Sequence, residues 1–179
     1  MDETVRKAVE FHGHLCPFVV VGAKAASYAM EKLGVSRAGD EELFCIAETA
    51  NCAVDAIQAI AGCTVGKGNL YIRDYGKNVF IFGSRKSGKA LRLYFNPEVF
   101  KGKSLEEKVE LALSLSPEEA FVAEFVDIEF PEEAEIRSSV RCSACGEYAM
   151  DTKVKEINGK KLCLPCYFAA REEGKSKQR

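Results

Sequence analysis

Residues 42–62 read ELFCIAETANCAVDAIQAIAG, and this stretch decides how the chain folds. Its first half is a short apolar run with strand character. It passes directly into apolar residues at helical spacing, Ala53, Ile57, Ile60 and Ala61, with Asn51 as the expected N-cap and Gly62 as the stop. The unit is strand, sharp turn, helix, and it places Cys52 one residue beyond the turn.

Upstream, residues 3–10 read as a short helix. Residues 17–34, PFVVVGAKAASYAMEKLG, read as a largely buried helix opened by Pro17 and closed by Gly34. Downstream, NLYIRDYG, KNVFIFGSR and KALRLYFN are rich in aromatic and branched residues and separated by Gly-containing turns, so an antiparallel meander is expected. SLEEKVELALSLS and PEEAFVAEF then read as two helices entered at Ser and Pro signals. That order argues an α+β fold with helices packed on a mixed β-sheet.

The eight cysteines are many for 179 residues. No run reaches the roughly 18 apolar residues that span a bilayer, and the first thirty residues lack a secretory signal. No membrane association and a cytoplasmic location are therefore expected. In a reducing compartment, thiols serve metals or chemistry more often than disulfides.

Charge divides the chain. Of 25 Lys+Arg and 27 Asp+Glu, 10 and 5 fall from Arg137 onward, leaving a body of net −7 and a tail of net +5. Between Glu118 and Glu135 lie eight acidic residues and no basic one, ending in the linker-like PEEAEIRSS. Two domains follow, 1–133 and 134–179.

The second domain holds Cys142-x2-Cys145 and Cys163-x2-Cys166, the spacing of a four-cysteine structural zinc site, with a hairpin turned at Asn158-Gly159 between them. A piece this small buries too little core to fold unaided. Such a closed site catalyses nothing. Arg141, Lys153, Lys155, Lys160 and Lys161, with the basic tail REEGKSKQR, give a surface for nucleic acid or an acidic partner, but a plain solvated face explains them equally well.

Both histidines of the chain lie in FHGHLCPF, residues 11–18. In an extended segment, His12, His14 and Cys16 share one side. Cys16 and Cys52 each stand at a helix start, where the macrodipole favours thiolate. The four residues make an open metal or nucleophile site. The alternative is that the imidazoles bond backbone groups and the thiols only pack. Cys63, a helix length from Cys52, is a poor co-ligand within one subunit unless a folded-back loop or a dimer partner brings it in, and Cys45 reads as a small buried hydrophobe. GSRKSGKA at 83–90 imitates a phosphate-binding loop, but Ala90 replaces the needed hydroxyl residue and a strand follows, so it is a basic hairpin turn. GKGN at 66–69 is likewise a turn signal, with Lys67 placed to attract an anionic ligand beside the site.

FHGHLCP with Gly22, NCAVDAIQAIAGCTVGKGN at 51–69, DYGK at 74–77 and the C-terminal finger together resemble the formylmethanofuran dehydrogenase FmdE family in its two-domain form. The resemblance implies a thioredoxin-like α+β core, a treble-clef-like finger and a homodimer. It implies a second metal in the core, zinc, held by His14, Cys16 and Cys52, with His12 and Cys63 behind them and Cys16 and Cys52 as the reactive thiols. It also implies an accessory or subunit role with molybdenum or tungsten formylmethanofuran dehydrogenase, which reduces CO2 to a formyl group. A metal- or cofactor-handling module that docks a protein or nucleic acid through the finger is the other reading. Phe18 departs from the family pattern, where Gly is usual, and would narrow access to the helix start.

Overall fold

The computed structural model describes residues 1–176; Lys177, Gln178 and Arg179 of the basic tail lie outside the described residues. The chain forms two compact units, residues 1–134 and 135–179. Among the described residues, no helix is long and apolar enough to cross a membrane.

The first unit is a five-stranded sheet in the order β2-β1-β3-β4-β5, flanked by helices. Its strands are β1 (Leu43–Ala47), β2 (Leu70–Ile72), β3 (Val79–Ser84), β4 (Lys89–Phe95) and β5 (Phe121–Val126). Helices α1 (Glu3–His12), α2 (Pro17–Leu33), α3 (Ala53–Ala61) and α4 (Leu105–Ser114) contribute Val5, Val19, Ile57 and Ala112 to one core. Leu43, Cys45, Ala47, Phe80, Phe82, Leu91 and Leu93 supply the sheet side of that core. Phe44 and Ile46 alternate to the opposite face. There the Phe130 ring stands edge-on to Phe44 at 4.9 Å, and the Tyr71 hydroxyl donates to Glu132 O at 3.1 Å. Every residue of β1 is consequently buried.

Local chemistry explains the helix ends. Asp2 caps α1 by accepting from Val5 N at 2.8 Å, and Gly13 ends it in the left-handed region at φ 98°. Pro17 opens α2 at the first helical position, and Ser104 with Glu107 forms a complete capping box on α4. Asn69 is fully buried between α3 and β2. Its Oδ1 accepts from Thr64 N at 2.8 Å, while its Nδ2 donates to Asp40 O and Leu43 O, each at 2.9 Å.

The structure corrects the strand reading at two places. Strand β2 does not join a meander: α3 carries the chain across so that β2 pairs parallel with β1, Cys45 opposite Leu70. Parallel neighbours require such a crossover, and an isolated apolar triplet does not reveal its partner. PEEAFVAEF is not a helix. Ser116 and Glu119 do form a capping box, but α5 (Pro117–Ala120) lasts one turn and the chain becomes β5, antiparallel to β4. Phe121 is buried there opposite Phe95, so tertiary packing overrides the local helix signal. The phosphate-loop imitation is the β3–β4 turn, closed by Gly88 N donating to Ser84 O at 2.9 Å.

The second unit comprises hairpins β6–β7 (Ser139–Arg141, Tyr148–Met150) and β8–β9 (Val154–Ile157, Lys160–Cys163), followed by α6 (Leu164–Ser176). Asn158 at φ 50° and Gly159 at φ 74° make the tight turn expected of Asn-Gly. Among the described residues, its buried apolar cluster is Cys142, Leu162 and Cys163, with Ala149, Ile157, Cys166 and Tyr167 packed against it.

Candidate metal centre

The core cluster is assembled by three helix ends. His12 is the last residue of α1, Cys16 the N-cap of α2 and Cys52 the N-cap of α3. One ligand atom from each lies within 4.8 Å of the others. The segment is therefore not a simple extended chelate: the helix runs through His12, and the left-handed Gly13 turns the chain before Cys16. His14 is exposed, with its ring 4.5 Å from that of His12, and the three-residue group forms without it.

Asn51 does not occupy the N-cap of α3. Its Oδ1 accepts from Ala53 N at 3.0 Å from one residue further out, and its Nδ2 donates to Asn78 Oδ1 at 2.8 Å. Those bonds hold the turn that presents Cys52.

His12 Nδ1 lies 2.7 Å from Asp55 Oδ2, a partner the sequence reading did not single out. An ionised carboxylate only accepts, so this hydrogen bond requires the proton on Nδ1. His12 Nε2 is buried without a hydrogen-bond partner. Cys52 and Asp55 are three residues apart and hence on one helix face, which is the signal from which Asp55 was legible.

Electrostatics departs from the expectation for Cys52. Its pKa is raised, first by burial and then by the adjoining Cys16 thiol. A backbone hydrogen bond at the helix start pulls it down, but burial and the Cys16 thiol outweigh that pull. Two thiols in contact resist carrying two negative charges, and a bound cation would reverse that resistance. Two sulfurs and one imidazole nitrogen, with no fourth residue in the group among the described residues, match a Cys2His zinc set with an open position. The residues present fit such an ion.

Cys63 lies outside the group. It is fully buried, its Sγ donates to Leu43 O at 3.6 Å, and burial pushes its thiol up to about 12. Cys45 is buried mid-strand. Lys67 Nζ donates to Ala38 O at 3.0 Å, so it braces a loop and does not wait for an anion. Phe18 packs edge-on against Phe95 at 6.3 Å and Phe100 at 5.8 Å, which gives its ring a place in the core.

In the second unit, ligand atoms of Cys142, Cys145, Cys163 and Cys166 also lie within 4.8 Å of one another. Backbone N–H groups of Cys145, Cys163 and Ala144 draw the Cys142 thiol down to about 6. Hydrogen bonds with the thiols of Cys163 and Cys145 push Cys166 up to about 12. Four thiols converging on one point form a closed set suited to a structural zinc ion.

Comparison with known proteins agrees with both halves. A family model described as "FmdE, Molybdenum formylmethanofuran dehydrogenase operon" matches residues 11–133, and one described as "Prokaryotic dksA/traR C4-type zinc finger" matches residues 136–171. A probable S-adenosyl-L-methionine-binding protein of Archaeoglobus fulgidus is 37% identical over a 197-residue alignment covering 91% of this chain and 53% of that protein. The chain thus spans about half the length of that curated relative. A tungsten formylmethanofuran dehydrogenase FmdE-like protein from Syntrophus aciditrophicus has the same fold, with a TM-score of 0.68 at 23% identity, covering 92% of this chain and 90% of that one. With both sequence segments matched and a cysteine cluster in each unit, the chain belongs to the FmdE family, in the form that carries a C-terminal C4 zinc finger.

Proposed function

We propose that the core is a metal-binding module in which His12, Cys16 and Cys52 hold one zinc ion and leave a coordination position open. The module serves as an accessory of formylmethanofuran dehydrogenase or of related one-carbon redox metabolism. The observation that supports this most directly is His12 itself, which has a ring nitrogen within 4.8 Å of both sulfurs and an Nε2 that is buried without a hydrogen-bond partner. A zinc ion held there would act as a Lewis acid toward an oxygen or sulfur ligand. The chain's own residues would bind and orient: Cys16 and Cys52 supply the charge, His12 completes the set, and the buried walls limit water.

Anaerobic metal content per chain tests the reading. Wild type should carry two zinc ions, falling to one in Cys52→Ala and in His12→Ala, and to one in Cys163→Ser through loss of the finger ion. A single ion in wild type, lost only in Cys163→Ser, would refute it.

The name of the Archaeoglobus relative favours a second reading, in which the core takes S-adenosylmethionine. Equilibrium dialysis with the labelled compound separates the two. Saturable binding abolished by Cys52→Ala would join them at one site, and no binding by wild type would remove the second.

A further inference from the structure

We propose that Asp55 is a positioning residue that commits His12 Nε2 to the metal. The claim deepens the zinc reading above and rests on it for its ligand, although its first observable does not need the ion.

A free neutral imidazole can carry its proton on either nitrogen, and only the bare one binds a cation. Asp55 Oδ2 sits 2.7 Å from His12 Nδ1 and can do nothing there but accept. Its other oxygen, Oδ1, accepts from Gln58 Nε2 at 3.3 Å, so the carboxylate is held from behind. The result is a relay Gln58–Asp55–His12 that runs along one face of α3 into the last residue of α1. At its end, Nε2 is buried with no hydrogen-bond partner, an expensive arrangement unless something occupies it. Cys52 opens the same helix three residues before Asp55, so a single element presents both a ligand and the group that orients another ligand. Carboxylates behind metal-bound histidines typically alter metal affinity about 10- to 100-fold.

Asp55 also lies in the first turn of α3, where any acidic residue favours the helix dipole. A purely structural role of that kind would lower the melting temperature in Asp55→Ala without changing which nitrogen of His12 is protonated.

The experiment uses the full chain with its finger zinc in place, as wild type, Asp55→Ala and Asp55→Asn. The Asp55 side chain is 41% exposed, so alanine there is compatible with the fold. Long-range imidazole 15N–1H spectra at about pH 9, above the ordinary imidazole range, report the tautomer, and with only two histidines the His12 signals are separable. Wild type should show Nδ1–H at His12, Asp55→Ala should move to Nε2–H, and Asp55→Asn, which keeps an acceptor oxygen, should retain Nδ1–H. Competition against a chromophoric chelator then gives the affinity of the second zinc, expected to fall about 10- to 100-fold in Asp55→Ala and less in Asp55→Asn. An unchanged tautomer in Asp55→Ala, or an unchanged zinc affinity, overturns the proposal. A wild type that takes no second zinc overturns the metal reading, whereas the tautomer shift still decides whether Asp55 positions His12.

Discussion

A Cβ on Gly22 would lie 2.3 Å from the carbonyl oxygen of Ala53. The second turn of α2 therefore touches the backbone of the first residue of α3, and only glycine allows that approach. The contact draws two helix starts together, so that Cys16 and Cys52 become neighbours although 35 residues separate them.

Gly22→Ala should push α3 off α2. The expected cost is about 1–3 kcal/mol of overpacking, read as a lowered urea midpoint, together with weaker retention of the core metal in an anaerobic metal assay. Native stability with full metal retention would show that the crossing adapts freely.

Zinc removal should act on the second unit far more than on the first. Three buried residues make too small a core to stand alone, so metal binding there supplies folding free energy. In the Cys163→Ser variant, amide resonances from residues 136–171 should collapse toward random-coil positions while those of the sheet β2-β1-β3-β4-β5 persist. Dispersed signals from the finger without metal would contradict this.

Two interior thiols predict alkaline sensitivity. Burial pushes Cys63 up to about 12 and Cys45 well above the ordinary thiol range. Both keep their protons in the native state at a pH where the unfolded chain has lost them. Their contribution is complete below about pH 8.5 and is lost as pH rises toward the folded-state value. The urea midpoint should fall above about pH 9, and Cys63→Val should flatten part of that fall. Identical pH profiles for the two proteins would remove Cys63 as a cause.

Asn69 ties β2 to the entrance of β1 through three hydrogen bonds of 2.8–2.9 Å. Asn69→Leu leaves Thr64 N and the carbonyls of Asp40 and Leu43 to find other partners. A loss on the order of 3 kcal/mol is expected, measured by chemical denaturation, and a loss below about 0.5 kcal/mol would mean that the bonds are readily replaced.

Much of this protein was written in short-range pattern. The double Cys-x2-Cys spacing identified the finger, because one knuckle can present two thiolates within a few residues. Pro17, Gly34 and Gly62 marked the ends of α2 and α3, because caps answer to backbone conformation at single positions. The acidic run from Glu118 to Glu135 was a compositional signal only, since all but its last residue belongs to the first unit and it contains β5. Where neighbours in space are distant in sequence, the same reasoning had no purchase. Nothing local said that β2 would lie parallel to β1, or that Phe121 would leave a capped helical turn to pair with Phe95.

The core cluster divides the same way. Sequence by itself put imidazole and thiol at one helix start and a second thiol at another, since those residues are near their caps. Tertiary structure alone decided that His12 and not His14 meets the thiols, that Asp55 takes His12 Nδ1, and that burial raises Cys52 against the pull of its helix. The reason is physical: donor geometry and desolvation depend on what packs across the gap, and at this site the gap is closed by Gly22 against Ala53.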